Sequence, residues 1–164
     1  MAMNQANSPA NPSGAVVLDA NVLVALCAQE QDKFILAETT FNDYFLRGWQ
    51  FYAPGVLLSE TLYVLCGKLQ NGTLTPTTHT QAIGLLQNYL TDISSPPSGD
   101  FSLATRAEAI RQSYGCSRSA DGLYIALAEE LAQQSPTELL TFDQGMVNQA
   151  AKNAPAVKVN LLIP

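Results

Sequence analysis

The chain holds a single histidine, His79, and that removes two classes of chemistry at once. It stands in Thr77-Thr-His-Thr80, near an expected helix start among polar residues, and reads as a surface side chain. With no second imidazole, neither a serine–histidine–acid relay nor histidine-based zinc chemistry has support. Cysteine is scarce as well. Cys27, Cys66 and Cys116 are far apart and form no C-x-x-C pair, so a zinc or redox motif is not indicated. An odd number of thiols in apolar settings suits reduced core cysteines of a cytoplasmic protein. Charge is equally sparse: 13% of residues, 8 basic against 14 acidic, for a net charge of −6. That argues against a broad basic surface that grips nucleic acid by charge alone, though not against a nucleic-acid enzyme, because bound divalent metals would offset several carboxylates. No glycine-rich phosphate loop follows the first apolar run, which speaks against a nucleotide cofactor. The longest apolar run, Ala15 to Ala28, is interrupted by Asp19 and Asn21 and is too short to span a bilayer. Met1 to Gly14 lacks the basic start and apolar stretch of a signal peptide. A soluble protein without a membrane partner is expected.

What the chain does have is apolar residues, 47% of the total, ample for a core. Residues 1–14, rich in Asn, Ala, Ser and Pro, read as a disordered tail, and 15–164 as one domain. Ala15-Val-Val-Leu18 reads as a buried strand ending at Asp19. Helices are expected at Asn21 to Gln29, Asp32 to Leu46, Gly55 to about Leu69, and Pro76 to Leu90 with Thr75 as cap. Two more follow at Ser102 to Tyr114, ended by Gly115, and at Ser119 (as cap) to about Gln134. Gln50 to Ala53, Glu138 to Phe142 and Val157 to Leu162 read as strands, and a short one precedes the loop at Ser94 to Gly99. Asp143 opens a last short helix. Strands alternating with helices predict a central parallel sheet with helices on both faces.

In such sheets ligands sit beyond the carboxyl ends of the strands. Asp19 directly follows the first strand, Asp143 follows the strand holding Leu139 and Leu140, and Asp121 lies in the first turn of a helix. Each also stands where aspartate caps or stabilises a helix start, so position alone leaves both readings open. Glu60 is different. It lies mid-helix, and its neighbours one turn away are Val56, Leu57, Tyr63 and Val64, which puts a carboxylate on or beside the buried stripe. Either it faces water or pairs with Lys68 or Arg118, or it holds a cation. Converging carboxylates repel one another, and Mg²⁺ or Mn²⁺ is the usual remedy. Such a cluster can activate a water and stabilise a leaving oxygen in phosphodiester hydrolysis.

These residues resemble the motifs of PIN domains. Val-Val-Leu-Asp19-Ala-Asn21 looks like the first motif and Val-Leu-Leu-Ser-Glu60 the second. Ser119-Ala-Asp121-Gly-Leu-Tyr-Ile-Ala-Leu-Ala looks like the third, with Gly122 where many relatives have Ala. Leu139-Leu-Thr141-Phe-Asp143 looks like the fourth. The order and spacing match over nearly everything after the tail. The resemblance implies a three-layer α/β/α fold and a Mg²⁺- or Mn²⁺-dependent endoribonuclease for single-stranded RNA. It also implies the setting of a VapC-type toxin, often a homodimer, held in check by a small antitoxin protein. By that likeness Asp19, Glu60, Asp121 and Asp143 are the metal-site residues, and Asn21 and Thr141 match positions with a polar side chain beside the site.

Arg118, three positions before Asp121, is placed to meet an RNA phosphate or to stand in solvent; Lys68 and Arg47 are weaker candidates for the same task. Trp49, Phe51 and Tyr52 fit core or dimer contacts better than base stacking, and Tyr63 and Tyr124 fit packing. Two rival functions stay open. One is a catalytically inactive PIN-fold binding module whose acids only cap helices. The other is a phosphotransfer or receiver domain with Asp19 as acceptor. The second wants a lysine at the end of a late strand, and Glu138 to Asp143 has none.

Overall fold

A run such as Ala15-Val-Val-Leu18 carries no polar side chain, so it is satisfied only in a strand covered on both faces. The computed structural model describes residues 12–116 and 119–164. There β1 (Ala15–Leu18) is buried along its whole length. It is followed by α1 (Ala20–Ala28), α2 (Gln31–Leu46), β2 (Gln50–Tyr52), α3 (Val56–Gln70), α4 (Pro76–Leu90) and β3 (Ile93–Ser94). Next come α5 (Asp100–Ser113), α6 (Asp121–Ala132), β4 (Thr137–Thr141), α7 (Gln144–Asn153) and β5 (Lys158–Leu161). The sheet runs β3-β2-β1-β4-β5 with every pairing parallel. Helices flank it in the expected three-layer α/β/α arrangement. The chain order reverses direction between β1 and β4, so the crevice beyond Leu18 and Thr141 is the switch point where parallel sheets bind ligands.

Local chemistry explains the element ends. Thr75 and Thr78 form a reciprocal capping box, with Pro76 in the first turn, and α4 starts where expected. Helix α5 begins at Asp100, two residues before the expected Ser102. Gly99 takes a positive φ of 81°, and the Asp100 carboxylate accepts the Gly55 N–H at 3.0 and 3.1 Å. That contact ties the start of α5 to the start of α3. Ser119 does not occupy the cap of α6; Ala120 does, and the Ser119 hydroxyl accepts the Asp121 N–H at 3.5 Å. Ser13 and Gly14, expected in the tail, already bond to the Gly48 carbonyl and the Gln50 N–H. Residues 1–11 lie outside the described residues.

The aromatic residues build one side of the core. Phe41 stacks on Phe51 at 4.0 Å between centroids, and Tyr89 meets Phe41 edge-on at 5.2 Å. Phe51 is fully buried, which rules it out as a base-stacking platform. Trp49 packs on Tyr44 and covers Gly14 so closely that a Cβ there would come within 2.7 Å of the indole. Two expectations about core residues are corrected. Only Cys27 is a core thiol, since Cys66 and Cys116 are exposed. Tyr63 is 81% exposed and is not a core residue, because α3 turns that flank outward along with Leu58 and Leu62; it lies instead at the edge of a surface cavity.

At the amino end of β4, away from the switch point, the buried Glu138 shows how this chain satisfies a carboxylate. Lys158 Nζ stands 2.5 Å from one oxygen and the Tyr44 hydroxyl donates to the other. Burial alone would raise its pKa, but these partners outweigh burial and hold it below the ordinary range.

Candidate active site

The carboxyl ends of β1 and β4 are joined by a small polar network. Asp19 Oδ2 accepts from the Thr141 hydroxyl at 2.6 Å and from Asn21 Nδ2 at 2.7 Å. Asn21 also reaches Thr141 Oγ1 at 3.1 Å and accepts the Phe142 N–H at 3.1 Å. Thr141 Oγ1 in turn accepts the Asp143 N–H at 2.9 Å. Asn21 and Thr141, singled out in the sequence, therefore fix where both strand-end acids lie. Asp19 stands at the cap position of α1 yet makes no capping bond. Its carboxylate is turned to this network instead. Asp143 does cap α7, accepting the Gly145 N–H at 2.7 Å, and is exposed.

The other two acids arrive from helices. Glu60, half-buried on α3, accepts the Tyr124 hydroxyl at 2.7 Å. Asp121, at the first position of α6, accepts from Gln149 Nε2 on α7. All four acids line one cavity of about 390 Å³, together with Asn21, Glu30, Lys33 and Lys68. A larger and purely neutral hollow of about 950 Å³ lies between the end of α1 and α4, lined by residues such as Thr73, Gln81 and Asn88. It offers no charged group for chemistry.

The electrostatics of the acidic cavity are those of uncompensated anions. Burial, with the nearby Asp121 and Glu60 charges, pushes Asp19 from 3.8 up to about 7 against the opposing Thr141 hydrogen bond. Glu60 is raised by burial and by Asp121, with Tyr124 opposing. Asp121 is raised by burial, with Ser119 and Gln149 opposing and Asp143 adding to the rise. Among the described residues none of the four is in an ion pair, in contrast to Glu138. Lys68, a possible partner for Glu60, is instead 2.6 Å from Glu30. Arg118 lies outside the described residues. As placed, each acid is turned to its own hydrogen-bond donor. Among the described residues no three acidic, histidine or cysteine side chains converge tightly enough to hold one ion.

Sequence reasoning misses the contribution of four residues. Tyr124 was read as packing, and it does pack, at 1% exposure, but its hydroxyl also holds Glu60 across 64 positions of chain. Gln149 was not singled out; its signal is a polar residue on the buried face of α7 beside Met146 and Ala150. Glu30 and Lys33, which also line the cavity, carry no local signal in the sequence.

No curated protein matches the chain significantly. Among solved structures, it is similar to VapBC2 from Rickettsia felis bound to a DNA fragment from their promoter. The TM-score is 0.56 at 13% identity, over 91% of this chain and 99% of that one. It is also similar to PAE2754 from Pyrobaculum aerophilum, with a TM-score of 0.51 at 16% identity, over 96% of this chain and 92% of that one. At such identities the likeness establishes a shared fold. No helix among the described residues is long and apolar enough to cross a membrane. The family model described as PIN domain matches residues 16–152, a span that runs from β1 into α7 and contains all four acids, and the chain belongs to that family.

Proposed function

We propose that this protein is a Mg²⁺- or Mn²⁺-dependent endoribonuclease acting on single-stranded RNA, with residues 15–164 as one nuclease domain. PIN domains are generally nucleases. The observation that carries the reading here is Asp19: a buried carboxylate, pushed up to about 7, that shares its cavity with three more acids and, among the described residues, is paired with no base, since Lys33 and Lys68 in the same cavity bind Glu30. A buried anion needs strong compensation. The donor set around Asp19 is all oxygen, which fits a hard divalent cation and not a soft one.

Asp19, Glu60, Asp121 and Asp143 would hold the ion, which when bound supplies Lewis-acid charge stabilisation and makes water a better nucleophile. The chain's own groups do the positioning. Thr141 and Asn21 keep the Asp19 carboxylate aimed out of the β1 end and pin the turn that carries Asp143. Tyr124 holds Glu60, and Gln149 holds Asp121, each by donating a hydrogen bond to the charged form and so keeping it available as an acceptor. Capping accounts for Asp143 alone: Asp19 stands at the cap of α1 without a side-chain cap bond, and Asp121 lies inside α6, whose cap is Ala120. That distinguishes the reading from an inactive PIN-fold module whose acids only end helices.

By the same family likeness, a small antitoxin protein and a second copy of the chain are the proposed partners. The function is tested with purified protein, single-stranded RNA and Mn²⁺. Cleavage that stops with EDTA and with Asp19→Asn supports it. Cleavage that survives EDTA, or proceeds equally well in Asp19→Asn, overturns it.

A further inference from the structure

The cavity that holds the four acids also holds two of the chain's few cations. Lys68 Nζ is 2.6 Å from Glu30 Oε1, and Lys33 Nζ is 3.6 Å from Glu30 Oε2. The Lys33 ammonium also stands 5.3 Å from the ring centroid of Phe142, the residue before Asp143. All three charged residues line the cavity beside Asp19 and Glu60. The other described bases are engaged elsewhere: Arg106 with Glu129, Lys158 with Glu138, Arg47 with Asp43, and Arg111 and Lys152 with backbone carbonyls. None of those five lines this cavity.

One carboxylate shared by two ammonium groups leaves a local excess of positive charge, in a chain of net charge −6. Glu30 stands at the cap of α2 without making a side-chain capping bond, and its carboxylate is turned to the two lysines. Lys68 sits in the last turn of α3, where the helix dipole favours a cation. A polyanion entering a cavity lined by four carboxylates needs such a counter-charge, and lysine meets phosphate as a point charge.

The geometry points to Lys33 and Lys68 as a clamp for a substrate phosphate next to the one that is cut, with Glu30 as the internal anion that occupies them until RNA displaces it. The inference rests on the nuclease reading for the identity of the polyanion. The two lysines are positioning residues: they act on where the strand lies and leave the reacting atoms to the acids.

The test measures binding apart from cleavage. A fluorescent single-stranded 2′-O-methyl oligoribonucleotide is titrated with Ca²⁺ present, after a gel has established that it stays intact, over a series of salt concentrations. The proteins are the parent, Lys33→Met, Lys68→Met and Glu30→Gln, with Lys152→Met as a control for loss of a distant charge. Methionine keeps the aliphatic stem, and the Tm of each variant is checked. Each clamp variant should bind more weakly and flatten the slope of log K against log salt by about 0.7, the share of one phosphate contact on a single strand. Glu30→Gln should bind more tightly, and on cleavable RNA the lysine variants should raise KM with kcat little changed. Binding equal to that of the parent or of Lys152→Met, weaker binding by Glu30→Gln, or a parent that does not bind overturns the clamp. Cleavage by the parent with KM unmoved in the lysine variants removes the clamp and leaves the nuclease reading standing. Clamp-dependent binding by a parent that cuts no RNA removes the nuclease reading alone.

Discussion

Asp19→Asn is expected to make the metal-free protein more stable at pH 8. In the folded state the carboxyl lies at about 7, against an ordinary 3.8. At about 1.4 kcal/mol for each pH unit between those values, ionising it in place costs up to about 4 kcal/mol. The residue is buried, so solvent does little to relieve this. The sign follows from proton counting. Between pH of about 4 and 7 the unfolded chain has lost this proton and the folded protein keeps it, so stability falls as pH rises through that window and the full penalty applies above it. Asparagine has nearly the same shape, accepts from Thr141 through its carbonyl oxygen, and never ionises. In a chain of this size each kcal/mol moves Tm by about 2–4 °C, so the variant should melt up to about 16 °C higher in EDTA at pH 8. The difference should shrink towards pH 4. Urea unfolding at pH 8 and pH 5, with parent and variant side by side, reads it directly. Mn²⁺ should raise the Tm of the parent more than that of the variant, because a ligand stabilises the state it binds. A variant less stable than the parent at pH 8 in EDTA would refute the claim that the site holds a strained, uncompensated anion.

Two further substitutions probe how the site is held. Gly122→Ala should destabilise the protein by about 1–3 kcal/mol in urea unfolding, despite the better helix propensity of alanine, because the new Cβ would meet the Ala107 carbonyl oxygen at 2.6 Å and force α5 and α6 apart; an unchanged midpoint contradicts this packing. Tyr124→Phe removes the hydroxyl that donates to Glu60 and, at about 1.5–3 kcal/mol for a bond to a charged group, should lower kcat/KM by about tenfold or more while the variant still folds; full activity would show that Glu60 needs no such support.

Much of this was legible in the chain because it rests on local chemistry. An uninterrupted apolar run ending in Asp19, a Thr75-Pro76 helix start and the strand before Asp143 each declare themselves within a few residues. Once the strands are taken as parallel, the rule that ligands sit at strand carboxyl ends brings Asp19, Asp121 and Asp143 to one side, while Glu60 is marked by its place on an apolar helix face. The contacts that tune the site are of another kind. Tyr124 meets Glu60 across 64 positions and Asn21 meets Thr141 across 120, and no local pattern encodes such pairings. Lys68 illustrates the same limit. Eight positions after Glu60, it stood as a possible partner for that residue, yet the approach of α2 gives it Glu30 instead. Ser119 had the chemistry of a helix cap and lost the position to Ala120, its hydroxyl still serving the Asp121 N–H.

The central claim is that four acids, distant in sequence, take up a common divalent cation. Anomalous diffraction from crystals grown with Mn²⁺ addresses it most directly. A manganese peak at coordination distance from Asp19 and at least one of Glu60, Asp121 and Asp143 is the expected result. A cavity without such a peak, in crystals of protein that cleaves RNA with Mn²⁺, would contradict it.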